Sequence, residues 1–115
     1  MPCQLHHHDD IAVLALSGNI MDIPENQTIC EQIQQLKTDG VNKLIFDLGQ
    51  VTHINSTGIG TLVSGVTSMR NQGGDVRLAN LSERAQHIIE IVQLGHVVDI
   101  CDTVDHAINS YSAHQ

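Results

Sequence analysis

Short apolar runs alternate along this chain with stretches whose apolar residues fall at helical spacing. That alternation limits the fold more than any other feature. LIFDL (residues 44–48) is too short for a helix and almost wholly apolar, the pattern of a strand covered on both faces. IAVLALSG, opening at Ile11, has the same character, and residues 76–79 and 97–100 supply two shorter strands. Between these runs, Ile29, Ile33 and Leu36 form one helical stripe. Ile59, Leu62, Val63, Val66 and Met69 form a second, and Ala85, Ile88, Ile89 and Val92 a third. A last helix is expected over residues 103–111. A strand at residues 3–7 and a polar turn at residues 8–10 make the opening a hairpin. The order is then β-hairpin, α, β, α, β, α, β, α. It predicts a single α/β domain with a mixed, mostly parallel central sheet and about four crossover or flanking helices.

Punctuation residues set the boundaries. Ser17-Gly18-Asn19 is expected to end the second strand, and Pro24 suits the first turn of the first helix, where its missing N–H costs nothing. Asp39-Gly40 stops that helix and Gly73-Gly74 the next. Gly49-Gln50 reads as a turn that separates LIFDL from a further extended piece, residues 51–54.

Composition narrows the function. The 115 residues suffice for one core of ordinary size. With 2% aromatic residues, few rings are available for stacking on bases or sugars. Thirteen acidic against five basic residues give a net charge of −8, which repels phosphate backbones and anionic lipid. Neither a nucleic-acid nor a membrane role is expected. No apolar run approaches a membrane span, and MPCQLHHHDD lacks the basic start and apolar stretch of a secretory signal. Cys3, Cys30 and Cys101 are odd in number and scattered, which suits reduced thiols in the cytoplasm.

The segment INSTGIG (residues 54–60) places Asn55, Ser56 and Thr57 between a strand end and a helix start. A helix N-terminus carries unsatisfied N–H groups and a partial positive charge, so it stabilises an anion. A phosphate on Ser56 would find donors there. The plainer reading makes Asn55 or Ser56 an N-cap. Further along, Thr57, Thr61, Ser64 and Ser68 share one face, with Gly58 and Gly65 close by. Such residues weaken a helix, and on a solvent face they would give a partner a flat surface to approach.

Other chemistry has less support. No GK[ST] follows the glycines at 58, 60 and 65, so a Walker A loop is absent, and the glycine spacing fails the dinucleotide fingerprint. On a strand only His6 and His8 of the histidine run share a face, which does not make a metal site. His53 is the one base near Ser56 in sequence, and GxSxG is missing. Neither a catalytic residue, a metal ligand nor a cofactor is expected.

FDLGQVTHINSTGIGTLVSG (residues 46–65) resembles the STAS-domain anti-sigma factor antagonist family, whose pattern runs from a strand ending in D-L to D-S-[ST]-G-[LI]-G. QGGDVRLANLSERAQHIIEIVQLGHVVDI (residues 72–100) resembles the family's continuation, and residues 16–20 its early L-x-G-E-[LI]-D. The match runs in order along nearly the whole chain. Asn55 stands where the family has an acidic residue, and Met21 where L-x-G-E-[LI]-D has its Asp, with Asp22 following.

The resemblance implies a phosphoprotein that switches partners. Unphosphorylated, it would bind a Ser/Thr protein kinase of the anti-sigma, histidine-kinase-like type and free that kinase's other client. Phosphorylation at the position matching Ser56 would break the complex, and a phosphoserine phosphatase would reset it. ATP and Mg²⁺ would belong to the kinase. The partner-binding surface expected from these readings comprises Asn55, Thr57, Gly58, Thr61, Ser64 and Ser68. Two other classes stay open: an enzyme turning over through His53 or Ser56, and a STAS scaffold indifferent to phosphorylation.

Overall fold

Residues 3–112 are described by the structure, a computed structural model. β1 (Cys3–His8) and β2 (Ile11–Ile20) form the antiparallel hairpin, turning at Asp9, which takes a left-handed φ of 54°. α1 (Ile23–Thr38), β3 (Lys43–Ile54), α2 (Ser56–Asn71), β4 (Asp75–Ala79), α3 (Glu83–Ile91), a short 3₁₀ turn, β5 (Asp99–Cys101) and α4 (Val104–Ser112) follow. The sheet order is β1-β2-β3-β4-β5, and every pair after the hairpin is parallel. The expected α/β class, mixed sheet and four helices are all present.

That order decides where the core lies. Each right-handed crossover from β2 to β5 advances one strand in the same direction, so α1, α2 and α3 fall on one face of the sheet. Ile29, Ile33 and Leu36 from α1, Leu62, Val66 and Met69 from α2, and Ala85 and Ile89 from α3 there bury Leu14, Leu44, Phe46 and Leu78. α4 covers the other face, where Ala107 and Tyr111 pack on Ile11, Val13, Ile45 and Ala79. Buried Arg77 of β4 lies over the Tyr111 ring at 3.9 Å, and the Tyr111 hydroxyl donates to the Leu44 carbonyl at 2.8 Å. Burial pushes the Tyr111 phenol up to about 12.

Three boundaries differ from those read in the sequence. The last strand, expected over residues 97–100, is β5 at Asp99–Cys101, behind the 3₁₀ turn at Leu94–His96. The other two lie on β2 and β3. β2 does not end at residues 17–19 but continues to Ile20, with Gly18 at φ 74°. Gly49-Gln50 is not a turn, because β3 runs unbroken for 12 residues. Its pairing with β2 slips twice, first between Ala15 and Ser17 and again between Gly18 and Asn19. At each slip β3 carries one extra residue, the geometry of a β-bulge. The Asp47 carboxylate holds the first slip by accepting from the Gly49 N–H at 3.0 Å and from Asn80 Nδ2 at 3.1 Å. A polar-Gly interruption within an extended run signals a bulge as readily as a turn. The lengthened β3 carries Ile54, and with it the start of α2, to the end of the sheet beside Ile20.

Candidate functional site

Asn55 decides the geometry at the start of α2. It is the N-cap, with extended backbone, and its Oδ1 accepts from the Gly58 N–H at 3.1 Å. Because Asn55 takes that role, Ser56 is the first helical residue, exposed, and its hydroxyl has no hydrogen-bond partner among the described residues. The N–H groups of Ser56 and Thr57 lie in the first turn and have no intrahelical acceptor. Thr57 is exposed as well.

The same corner is tied to the turn between β2 and α1. Asn55 Nδ2 donates to the Met21 carbonyl at 3.3 Å. Asn26 Nδ2 donates to the Asp22 carbonyl at 2.8 Å, and Asn26 Oδ1 accepts from the Thr61 hydroxyl at 2.6 Å. Two asparagines thus bridge the α2 start to residues 21–26. This turn exposes Met21 and, at 72% relative exposure, Ile23. None of these contacts was anticipated. Asn26 did leave a signal, because it stands on the stripe of Ile29, Ile33 and Leu36, where a lone polar residue in a buried row needs a partner.

Two of the expected docking residues are buried and face the protein itself. Thr61 is 8% exposed and occupied by Asn26, so it does not lie on a solvent face. Gly58 is also buried: a Cβ there would strike the Ile20 carbonyl oxygen and come within 2.6 Å of Ile54 Cγ1. Gly65 serves the same end, since its Cβ would stand 3.0 Å from Ile33 Cδ1 and 3.2 Å from Phe46 Cζ. The buried arc of α2 therefore includes Gly58, Thr61 and Gly65 beside Leu62, Val66 and Met69. The small residues have a reason inside the monomer: they let α2 approach β2, β3 and α1. Ser68 is half-buried and accepts from Lys37 Nζ at 2.7 Å. Ser64 alone of the later positions is exposed, in a groove between α1 and α2 with Cys30, Ile33, Gln34 and Ser68.

His53 is turned to another task than activating Ser56. Its Nδ1 lies 2.8 Å from Asn19 Oδ1, which also accepts from the Thr52 hydroxyl at 3.0 Å. Among the described residues no group of three or more His, Cys, Asp or Glu could hold a metal ion. Cys3 and Cys101 are buried and Cys30 is exposed, all three as free thiols. No helix among the described residues is long and apolar enough to cross a membrane.

The family model described as "STAS domain" matches residues 3–107. The chain belongs to the STAS family. The STAS domain is 32% identical over 94 residues to the anti-sigma-B factor antagonist of Bacillus subtilis (strain 168), covering 82% of this chain and 84% of the relative. Its fold is similar to that of an anti-sigma factor antagonist from Mycobacterium paratuberculosis, with a TM-score of 0.82 and 19% identity over 94% of this chain and 91% of the other. The Bacillus cell fate determinant SpoIIAA, solved phosphorylated, gives a TM-score of 0.75 at 20% identity, covering 95% of this chain and 98% of SpoIIAA. The unphosphorylated form of SpoIIAA gives 0.76 at 18% identity, covering 98% and 99%.

Proposed function

We propose that this STAS domain is a phosphorylation-controlled binding switch in the cytoplasm. With Ser56 bare it binds a Ser/Thr kinase of the anti-sigma type, and with Ser56 phosphorylated it releases that kinase, until a phosphoserine phosphatase restores it. The observation that carries the reading is the free, exposed Ser56 hydroxyl at the first residue of α2, with Asn55 already serving as the cap. A kinase can reach such a hydroxyl without unfolding anything. The product dianion would sit at the positive end of a 16-residue helix, so the fold tolerates both states. Release then follows from charge placed in the contact surface rather than from a change of shape. The likeness to an antagonist solved both with and without phosphate supports the same economy.

Asn55, Thr57, Ser64 and Ser68 remain the residues assigned to that surface, with the exposed turn at Met21–Ile23 added to them. Gly58 and Thr61 act from beneath by fixing the position of α2. The decisive experiment recovers the tagged full chain from its native cells and maps its phosphopeptides. Phosphate is expected on Ser56, together with a co-purifying kinase retained by Ser56→Ala and lost by Ser56→Asp. Modification of Thr57 or Ser64 with Ser56 left bare would overturn the assignment. Equal retention by Ser56→Ala and Ser56→Asp would make the domain a scaffold indifferent to phosphorylation.

A further inference from the structure

The chain is strongly acidic, and four of its five Lys and Arg side chains have partners. Lys43 pairs with Asp10, Arg70 with Asp75, and Arg77 with Asp75 and Asp99, while Lys37 donates to Ser68. Arg84 alone has neither an ion pair nor a hydrogen bond among the described residues. It stands in the first turn of α3, where the helix dipole disfavours a cation, so its own helix gives no reason for it. Its one neighbour of opposite sign in sequence, Glu83, is exposed and not bonded to it.

Arg84 lines a groove between the end of β3, the turn after β2, and α3. Met21, Ile54 and Ile88 are its apolar walls, and Thr52, His53 and His87 stand with Arg84 as its polar ones. Met21 is exposed, and Ile54 and Ile88 are only partly covered. His53 spends Nδ1 on Asn19, which leaves Nε2 uncommitted. No carboxylate lines this groove; the nearest in sequence are Asp22 and Glu83 at its borders. An uncovered apolar strip beside an unpaired cation, in a groove that no carboxylate lines, is locally complementary to one kind of surface.

We propose that this groove docks a protein segment in which a carboxylate adjoins an aliphatic or aromatic side chain. The apolar side chain would fill the space between Met21, Ile54 and Ile88. The carboxylate would accept from the Arg84 guanidinium, whose planar donors suit it. The groove is continuous with the proposed switch, because Asn55 holds the Met21 carbonyl at 3.3 Å. A partner seated there lies beside Ser56 without needing to cover it.

A random dodecapeptide phage library selected on the unmodified full chain tests this without any kinase. Success or failure here is therefore separate from that of the Ser56 switch. Enriched peptides are expected to carry Asp or Glu next to Leu, Ile or Phe. The best of them, added to labelled protein, should shift the amide resonances of Met21, Ile54 and Ile88. Arg84→Glu should weaken that peptide by about tenfold or more, the loss expected of one charge-assisted contact. The same variant should fold normally, since Arg84 is exposed and a first-turn acid suits the helix dipole. No enrichment, enrichment without acidic residues, unchanged affinity in Arg84→Glu, or shifts confined to the α1–α2 groove would each overturn the proposal. So would displacement of the peptide by inorganic phosphate alone at low millimolar concentration, which would mark a simple anion site.

Discussion

Two sides of α2 are built from the same kinds of residue and do opposite work. Gly58, Thr61 and Gly65 lie inward, against Ile20, Asn26, Ile33 and Phe46, and their smallness lets neighbouring elements approach. Ser56, Thr57 and Ser64 lie outward, with exposed side chains that make no hydrogen bond among the described residues. Small and hydroxyl residues repeating at helical spacing therefore do not by themselves identify a docking face. What separates the two sides is whether a second element has filled the space above them. The comparison also divides the labour: the inner side sets where the helix start sits, and the outer side leaves that start open to solvent.

The strongest test of the inner side is Gly58→Val. Its Cβ would collide with the Ile20 carbonyl and crowd Ile54, neither of which can swing away, since one is backbone and the other a half-buried wall. Overpacking of this kind costs about 1–3 kcal/mol, and a clash with backbone belongs at or above the upper end. Urea denaturation should show the midpoint falling sharply or the cooperative transition lost. A Gly58→Val chain as stable as the parent would mean that α2 is not held where the contacts place it.

Thr61→Val keeps the shape and removes only the hydroxyl. Asn26 Oδ1 would then be buried with no donor, at a cost of about 1–3 kcal/mol. Combining it with Asn26→Leu sharpens the point, because the two losses should be non-additive by about 0.5 kcal/mol or more. Strictly additive effects would show that the 2.6 Å contact contributes nothing to the seam between α1 and α2.

Much of this architecture could be read from the chain. LIFDL lies in β3, buried on both faces, and the first two stripes face the sheet as their spacing requires. In the third only Ala85 and Ile89 do, Ile88 being half-covered and Val92 exposed past the end of α3. The start of α2 was also legible, because a strand end followed by Asn-Ser-Thr and glycine locates a helix start. Three things were not. The bulge at Gly49 depends on Asp47 and Asn80 meeting across 33 positions, which no local pattern contains. The burial of Thr61 depends on α1 lying over it, and the helical spacing of Thr57, Thr61, Ser64 and Ser68 is silent on that neighbour. The groove at Arg84 joins residues from three separate elements, and the lack of a partner becomes visible only once the other cations have theirs.

At the boundary between the two sides stands Asn55. Asn55→Ala removes the acceptor for the Gly58 N–H, a half-buried contact, and the donor to the Met21 carbonyl, an exposed one. The cap is worth about 1 kcal/mol. A comparable drop in stability is expected by denaturation, with the Met21 and Ile23 amides exchanging faster. Asn55→Asp keeps the acceptor and adds a charge favourable at a helix start, so it should hold the stability while still loosening Met21. If both variants left exchange at Met21 and Ile23 unchanged, the turn and the helix start would be independent parts rather than one surface.

The smallest effect on the fold, and the sharpest on binding, belongs to Ser64→Arg. Ser64 is exposed and makes no hydrogen bond among the described residues, so replacing it should change stability by about half a kcal/mol or less. The groove it borders is shallow, and Gly65 beneath it leaves α1 and α2 close together. A long, hydrated side chain would project from that surface into whatever docks on it. If the outer side of α2 lies at the centre of the kinase contact, affinity should fall by several kcal/mol, the cost typical of disturbing a packed centre. A control must avoid the groove, which excludes Gln34, since it lines the same space. Asn109→Arg on α4 serves, being exposed and on the opposite face of the sheet. Titration calorimetry of both variants with the recovered kinase should show Ser64→Arg without measurable heat and Asn109→Arg unchanged. Unimpaired binding of Ser64→Arg would move the docking surface off the middle of α2 and leave it only the helix start and the turn at Met21.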